Sequence, residues 1–221
     1  MKNNNKGFSL VELLVSFAIL GVVSVLIGII MTSGSRMFAS NRARLSLQYK
    51  SQVISSQIHT YIQNCNGGLA VDSNGDLYIA QKTPGAGDVV GYIYLLAKGE
   101  GDDADGLFLK KFDVKKQTLP SGDTVYVGAY ETASGGSASA DSFTASDVSA
   151  CLAQPMCSDV ASWNTELAPK YAKVTINFSQ ENAKYSKNIV ESFRNRPAIV
   201  KTSDVSGDST LLNILKERVW G

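Results

Sequence analysis

The strongest constraint on this chain is an uncharged apolar segment near its N-terminus. It runs for 19 residues, from Leu13 to Met31. As a helix rising ~1.5 Å per residue it would be roughly 28 Å long, close to the thickness of the hydrocarbon core of a bilayer. A soluble helix that is apolar on every side for this length would be unusual, because part of its surface would face water. The segment therefore predicts a membrane span.

A cleavable signal peptide is the alternative interpretation of such a segment. Its apolar core is shorter, roughly 7–15 residues, and a small-x-small cleavage site follows it. Thr32-Ser33-Gly34-Ser35 could serve as that site, but the apolar run is long for this class. Lys2 and Lys6 precede the run and favour a cytoplasmic N-terminus, whereas arginines on the far side weaken that charge argument. The predicted orientation therefore depends on the residues between Lys6 and Leu13.

Glu12 is the acidic residue at the edge of the apolar segment. A charge at the centre of a bilayer costs on the order of 2.5–3.5 kcal/mol, and less near the interface, so such residues usually have a partner. Residue 8 lies one helical turn away. A cut between Gly7 and Phe8 would create an amino group that Glu12 could neutralise in its own or a neighbouring subunit. Taken alone, Glu12 would be read as an interfacial residue in contact with water.

The basic leader, Gly7-Phe8, Glu12 and the apolar segment together indicate a protein family more specifically than any one of them does alone. Gly7-Phe8-Ser9-Leu10-Val11-Glu12-Leu13, after a short basic leader and before an apolar helix, resembles the cleavage and assembly motif of type IV pilins and of the pseudopilins of secretion and competence machines. The resemblance implies that prepilin peptidase cuts after Gly7 on the cytoplasmic side and that Phe8 is N-methylated. It also implies that Glu12 takes part in docking each subunit into a helical filament.

The resemblance also implies location and partners. The chain would cross the cytoplasmic membrane once, with its C-terminal domain extracytoplasmic and its helix in membrane lipid, and would later enter a cell-surface or periplasmic filament. Its partners would be other pilin or pseudopilin subunits, prepilin peptidase and the inner-membrane assembly platform. Many major pilins have a kinking proline in this helix, where this chain has Ile29, and no proline precedes Pro84. This departure favours a minor pilin or minor pseudopilin.

Beyond Met31 the helical pattern continues but becomes amphipathic. Gly67-Gly68 would end the helix. We therefore divide the chain into a leader, residues 1–7; a transmembrane or filament-core half of the helix, 8–31; an amphipathic half, 32–66; and a globular domain, 67–221. The buried stripe of the amphipathic half is predicted to consist of Leu47, Ile54, Ile58, Tyr61 or Ile62, and Cys65.

The globular domain is predicted to be rich in strands. Alternation and β-branched or aromatic content predict strands at 77–80, 89–97, 107–114, 124–130, 171–178, 185–193 and 198–200. Leu211 to Val219 predicts a terminal helix, and residues 132–160 an irregular loop, because Ser, Ala, Gly, Thr and Asp dominate residues 132–150. The predicted fold class is α+β, with the long helix packed on a small antiparallel sheet, as in pilin-like proteins.

Two residue groups are candidates for a crosslink or a metal site. Cys151 and Cys157 could form a disulfide in an exported domain, which leaves Cys65 as a buried thiol or as a competitor for one of them. Two acidic turns offer oxygen ligands at calcium-like spacing, but neither fits the full twelve-residue calcium loop, so solvated turns are the favoured interpretation. Their acidic residues are Glu100, Asp102, Asp103 and Asp105 in one turn, of which the three aspartates are the calcium candidates, and Asp72 and Asp76 in the other.

Other function classes have little support in the sequence. The net charge is +1, and no basic cluster interleaved with aromatic residues follows residue 50, so we predict no direct nucleic-acid binding. His59 is the single histidine, and no nucleophile motif or phosphate-binding loop is present, so we predict neither an enzyme nor a cofactor.

The sequence thus predicts a minor structural subunit of a type IV pilus or related pseudopilus. The alternative is a single-pass, membrane-anchored extracytoplasmic binding or receptor module that is not assembled into filaments. Such a module would keep its leader and would have no use for Gly7 or Glu12. A third hypothesis, a secreted enzyme released from a signal peptide, predicts an N-terminus beyond Ser33.

Overall fold

The computed structural model describes residues 9–83, 87–99, 101–180, 183–195, 197–200 and 210–221. A single long helix, α1, spans Leu10–Gln63. By internal contacts the chain forms two units, one ending at Leu45 and the other spanning Ser46–Gly221. This boundary falls inside the amphipathic half that we predicted at 32–66, because the helix buries side chains only from Leu47 onward.

In the first unit, α1 exposes its apolar side chains along the whole predicted membrane span. The hydroxyl groups within this stretch are satisfied by the helix itself. Ser16 donates to the Glu12 carbonyl at 2.8 Å, Ser24 to the Leu20 carbonyl at 2.8 Å, and Thr32 to the Gly28 carbonyl at 3.0 Å. Because these polar side chains need no water, they do not interrupt the segment's apolar character.

In the second unit, α1 buries one stripe of side chains, as predicted. The residues of α1 in this stripe are Leu47, Ser51, Ile54, Ile58 and Ile62. Ile62 is the buried member of the Tyr61/Ile62 pair, while Tyr61 stacks against Tyr94 with ring centroids 4.9 Å apart. Ser51 is buried as well, although its side chain is polar, because it lies four residues after Leu47 and three before Ile54.

The larger sheet has eight strands. Seven follow the order β11-β1-β2-β3-β4-β5-β6, and β7 pairs with β4. All pairings are antiparallel except that of β1 with β11, which is parallel. The strands are β1 (Gly68–Val71), β2 (Leu77–Gln81), β3 (Val89–Lys98), β4 (Leu107–Thr118), β5 (Thr124–Glu131), β6 (Ser137–Ala140), β7 (Ala153–Cys157) and β11 (Ala198–Val200).

A second sheet has three strands in the order β10-β9-β8. They are β8 (Val160–Leu167), β9 (Tyr171–Gln180) and β10 (Ala183–Ser192). The predicted strands at 171–178 and 185–193 correspond to β9 and β10, which pair as a hairpin, and the predicted α+β class is confirmed. Four strands were not predicted. Strands β6 and β7 lie in the segment predicted to be an irregular loop, half of the residues of β8 are polar, and β1 begins at the glycine that was interpreted as a helix stop.

The predicted irregular loop at 132–160 needs correction, because most of the segment is regular. It contains β6, α2 (Ala145–Ala150) and β7. The Thr144 hydroxyl caps α2 by accepting from the Asp147 amide, and the Asp147 carboxylate accepts from the Thr144 amide at 2.8 Å. The Tyr130 hydroxyl on β5 also donates to Asp147 at 2.8 Å. The Thr144–Asp147 contacts are local, whereas the Tyr130 contact reaches back to β5, and together they order a segment whose composition is typical of loops.

The C-terminal helix α3 (Leu211–Trp220) covers one face of the larger sheet, and the aromatic cluster of Phe112, Tyr130 and Phe143 lies in the same core. The Phe143 ring lies 5.3 Å from Phe112 and 5.9 Å from Tyr130, centroid to centroid. Asn213, which is only 4% exposed, donates to the Phe143 carbonyl and accepts from its amide, both at 2.8 Å. Asn213 therefore fixes the segment before α2 to the terminal helix.

The predicted Cys151–Cys157 disulfide is not formed, because all three cysteines are free thiols. Cys157 ends β7 opposite Leu107, whereas the Cys151 thiol contacts the Lys111 carbonyl, four residues further along β4. A strand advances about 3.3 Å per residue, so these positions are on the order of 13 Å apart along β4. Disulfides need Cα atoms within roughly 7 Å. The extended conformation of β7 thus separates the two thiols.

We expect the native chain to react slowly with iodoacetamide at pH 8. Burial raises the pKa of Cys65 to about 12 and of Cys157 to about 11, and it also raises the pKa of Cys151. Little reactive thiolate is then present. After denaturation without reductant, mass spectrometry should count 3 alkylated cysteines, the full number in the chain. A single alkylated cysteine would show that two of them are bridged.

Candidate functional site

The described part of the predicted processing site is the start of α1. Ser9 and Glu12 form a reciprocal pair of hydrogen bonds at this position. The Ser9 amide donates to Glu12 Oε2 at 3.0 Å, and the Glu12 amide donates to Ser9 Oγ at 3.2 Å. This is a capping box, which satisfies two backbone amides that a helix leaves without an internal acceptor. Glu12 therefore has a structural role at the helix start in addition to any role in assembly.

Ser9 is a site residue that our sequence reasoning missed. The signal was present, since Ser-x-x-Glu directly before an apolar run is the sequence signature of a capping box. From the sequence, Glu12 was interpreted through a partner at residue 8 or through contact with water. Gly7 and Phe8, the other two predicted site residues, lie outside the described residues. Of the three, the structure places Glu12 alone.

The capping box is chemically compatible with the predicted cut. The amide that Glu12 holds belongs to the peptide bond between Phe8 and Ser9. Cleavage between Gly7 and Phe8 would leave this bond intact, so the capping box would persist in the processed chain. Among the described residues, Glu12 Oε1 accepts no hydrogen bond, whereas Oε2 accepts one. The carboxylate thus caps its own helix with one oxygen and presents the other.

The helix that follows is the one helix in the described part of the chain that is long and apolar enough to cross a membrane. None of the residues in the apolar part of this helix is buried within the structure. A helix this apolar and this uncovered requires a nonpolar environment, either lipid or other helices.

The two acidic turns show different arrangements from a metal site. Asp72 Oδ1 accepts from the Asn74 amide at 2.8 Å and from the Asp76 amide at 2.9 Å, so this carboxylate closes the turn. Asp103 lies at the end of a short 3-10 turn, Gly101–Asp103, and the side chain of Asp102 lies outside the described residues. In the parts of the chain that the structure describes, no three His, Cys, Asp or Glu side chains, Asp105 included, come together to hold an ion.

His59 joins α1 to the smaller sheet. Its Nδ1 lies 2.8 Å from Glu191 Oε2 on β10. Nearby along the helix, Lys50 pairs with Asp159, in the turn before β8, and also donates to Ser158 Oγ at 2.9 Å. These two contacts attach the second part of α1 to both ends of the three-stranded sheet. The arrangement gives His59 a structural role at this junction.

Comparison with known proteins gives one result. Residues 2–28 match the family model described as the prokaryotic N-terminal methylation motif. The match spans Lys2, Lys6, the predicted Gly7–Phe8 cut, Glu12 and most of the apolar segment, and it confirms the predicted resemblance at the motif. Searches of the curated proteins and of the solved structures found no match.

Proposed function

We propose that this chain, which begins with the signal of a type IV pilin-like processed subunit, is a minor structural subunit of a type IV pilus or related pseudopilus. The observation that carries the proposal is the matched motif at residues 2–28, in which a basic leader, the Gly7–Phe8 junction, Glu12 and an apolar helix follow one another in order. An anchor would need the apolar helix alone, whereas a processed subunit uses all four.

The helix would act in two stages. Before assembly, the apolar half of α1 holds the chain in the cytoplasmic membrane as a single span, with the leader in the cytoplasm and Ser46–Gly221 outside. Prepilin peptidase then cuts after Gly7, and Phe8 is N-methylated. The apolar half finally leaves the lipid and packs among the helices of neighbouring subunits on the assembly platform, so it stays in an apolar environment throughout.

Glu12 would connect these two stages. Its Oε2 is held by the Ser9 amide, which directs the carboxylate toward the N-terminal end of the helix. The free Oε1 is then available to the positively charged amine of Phe8 in an adjacent subunit. Away from water such a pair is stabilised if both partners are hydrogen-bonded. The pairing would set the axial position of each incoming helix.

A minor rather than a major subunit is supported by the helix itself. Ile29 occupies the position where many major pilins have a proline, and α1 runs without interruption from Leu10 to Gln63. The competing function, a membrane-anchored receptor module outside any filament, has no use for the Gly7–Phe8 junction. Its distinguishing property is a leader that stays attached.

Gly7→Val is expected to abolish processing, because a branched side chain at the residue before the cut obstructs the peptidase. Intact mass of the membrane-purified chain, produced in a host that contains prepilin peptidase, reports the result. The wild-type chain should lack its first 7 residues and carry one added methyl group, whereas Gly7→Val should keep the leader. Asn5→Val, in the same leader, is the matched control and should be processed normally.

Two results of this experiment would contradict the proposal. A wild-type chain that keeps its leader in such a host would favour the anchored receptor module. A chain whose N-terminus lies beyond Ser33 would favour release by a signal peptidase and a secreted protein.

A further inference from the structure

The free edge of the three-stranded sheet is the surface that the proposed function leaves without a role. Strand β10 is the outer strand of this sheet and has ten residues, Ala183–Ser192. It pairs with β9 in one continuous register over its full length, without a bulge. It contains neither proline nor glycine. A strand of this kind offers its outer backbone groups as a template for another strand.

The hydrogen-bonding pattern identifies which residues point outward. In antiparallel pairs, every second residue bonds to the neighbouring strand. The Phe193 amide donates to the Lys170 carbonyl, just beyond the paired ends, and on the other side of β9 the Ser179 amide donates to the Asp159 carbonyl. Both bonds give the same alternation, in which odd-numbered residues of β10 bond to β9. The residues whose amides and carbonyls point away are Lys184, Ser186, Asn188, Val190 and Ser192.

No hydrogen bond to these five backbone positions is made by any other described residue. Their side chains are exposed as well, including Val190, which is 57% exposed on a strand of otherwise polar outward residues. The inner side of β10 is anchored by Ile189 and by the contact of Glu191 with His59. The edge is therefore both open and held in a fixed, extended conformation.

The other sheet edges in the described structure are protected. Strands β11 and β6 have only 3 and 4 residues, and β7 contains Pro155. Strand β8, the opposite edge of the smaller sheet, has a register shift between Val160 and Ser162 and is held against the β1–β2 turn, where Trp163 Nε1 donates to the Gly75 carbonyl at 2.7 Å. Short length, proline, bulges and coverage are the usual devices that block strand addition. In the described structure β10 has none of these four; it carries only charge, in Lys184 and Lys187, which hinders the addition of an identical strand but not of an acidic one.

We propose that β10 is a docking edge to which a different polypeptide adds an extended strand. The chemistry of the edge favours this occupant, because an extended backbone can replace water at all five outward amides and carbonyls with a regular row of hydrogen bonds. The charge selects against a second copy. Lys184 and Lys187 have no carboxylate partner among the described residues, and Glu191 is occupied by His59. Two copies would place two positively charged edges against each other, whereas a partner strand with Asp or Glu complements the charge of this edge.

This docking edge belongs to the globular unit and goes beyond the proposed role of the N-terminal helix. It would give the subunit a specific protein partner whether or not the processed helix enters a filament. The two proposals therefore fail separately, since processing is read at the N-terminus and strand addition is read at β10.

Photocrosslinking of the full-length chain in its own host tests the proposal. The probe is p-benzoylphenylalanine, placed in separate variants at Ser186 and at Val190, with Thr175 on β9 as the control position in the interior of the same sheet face. Crosslinked peptides are sequenced by mass spectrometry. We expect both edge positions to label one segment of one partner protein, at sites four residues apart, and the control position to label it at least tenfold less.

Proline at an outward position supplies the matched variant. Asn188→Pro removes an outward amide that β9 does not use, and it should reduce crosslinking from Ser186 at least tenfold. Asn188→Thr keeps the amide and should not. If Asn188→Pro lowers the melting temperature substantially, Lys184→Glu with Lys187→Glu replaces it and should also reduce crosslinking to an acidic partner strand.

Several outcomes would overturn the proposal. They are the absence of crosslinks at both positions, crosslinks scattered over many proteins without a common register, and labelling that persists unchanged in the proline and charge-reversal variants. Crosslinking to another copy of this chain would likewise reject a different polypeptide as the occupant.

Discussion

Gly128→Ala is expected to lower the free energy of unfolding of the globular unit by at least about 3 kcal/mol. A Cβ atom on Gly128 would lie 1.8 Å from Phe143 Cζ and 1.9 Å from Phe143 Cε2. Such an approach is impossible, so either β5 shifts or the ring leaves its site. Phe143 is only 1% exposed and packs against Phe112 and Tyr130. Loss of that packing costs about as much as truncating a buried phenylalanine, roughly 3–5 kcal/mol.

Thermal unfolding of the purified full-length chain, followed by near-ultraviolet circular dichroism of its aromatic residues, measures this effect. A loss of 3 kcal/mol in a unit of this size should lower the melting temperature by roughly 6–12 °C. Gly136→Ala is the matched control, because the nearest atom to its Cβ is a side-chain oxygen of Thr132 at 3.3 Å. It should change the melting temperature by no more than about 2 °C.

A double-mutant cycle separates the ring contact from a general loss of glycine. In a Phe143→Leu background the smaller side chain can yield, so Gly128→Ala should cost at least about 1 kcal/mol less than it does alone. Equal costs in both backgrounds would show that Phe143 is not what requires a glycine at position 128.

The regular elements were predictable where the sequence pattern is local. The stripe from Leu47 to Ile62 has helical spacing, and strand β9 alternates apolar and polar residues, so both could be predicted from the sequence. Strand β1 was missed because its first residue is Gly68, and a glycine directly after a helical pattern indicates the end of a helix rather than the start of a strand. A Cβ at Gly68 would lie 2.7 Å from Leu215 of α3, so the glycine is required by packing of the terminal helix. No local pattern reports a contact over that distance in the sequence.

The segment at 132–160 is a second case in which the local sequence gives the wrong structure. Its composition predicts a loop, and its order depends on a few contacts with distant residues. Asn213 holds Phe143 by its backbone, Tyr130 holds Asp147, and β7 pairs with β4. The disulfide prediction was wrong for a related reason. A turn between Cys151 and Cys157 would bring the two thiols together, but the segment is extended and separates them.

The candidate site was predictable in type but not in its internal contacts. The order of Gly7, Phe8 and Glu12 before an apolar helix predicts a precursor, and the motif at residues 2–28 is confirmed. Ser9 was missed because Glu12 was interpreted through the amine of Phe8, in its own or a neighbouring subunit, or through water, and not through a backbone amide of its own helix. The capping box gives Glu12 two roles, one structural and one proposed in assembly, and these can be separated by substitution.

Glu12→Val is expected to reduce incorporation into filaments at least tenfold while processing after Gly7 continues. The substitution removes both the carboxylate charge and the acceptor for the Ser9 amide. A buried charge that loses its partner costs roughly 3–5 kcal/mol. Each 1.4 kcal/mol corresponds to about a tenfold change in an equilibrium. The ratio of chain in the sheared filament fraction to chain in the membrane fraction measures incorporation, and intact mass of the same samples measures processing.

Glu12→Gln separates the charge from the cap. Glutamine can still accept from the Ser9 amide, since capping boxes use either residue, but it cannot neutralise an amine. We expect Glu12→Gln to be incorporated as poorly as Glu12→Val. Ser9→Ala keeps the carboxylate and loses half of the capping box, so it should retain most of the wild-type incorporation. If Glu12→Gln is incorporated as well as the wild type and Ser9→Ala is not, then Glu12 serves only to start the helix, and the proposed pairing with Phe8 of a neighbouring subunit is wrong.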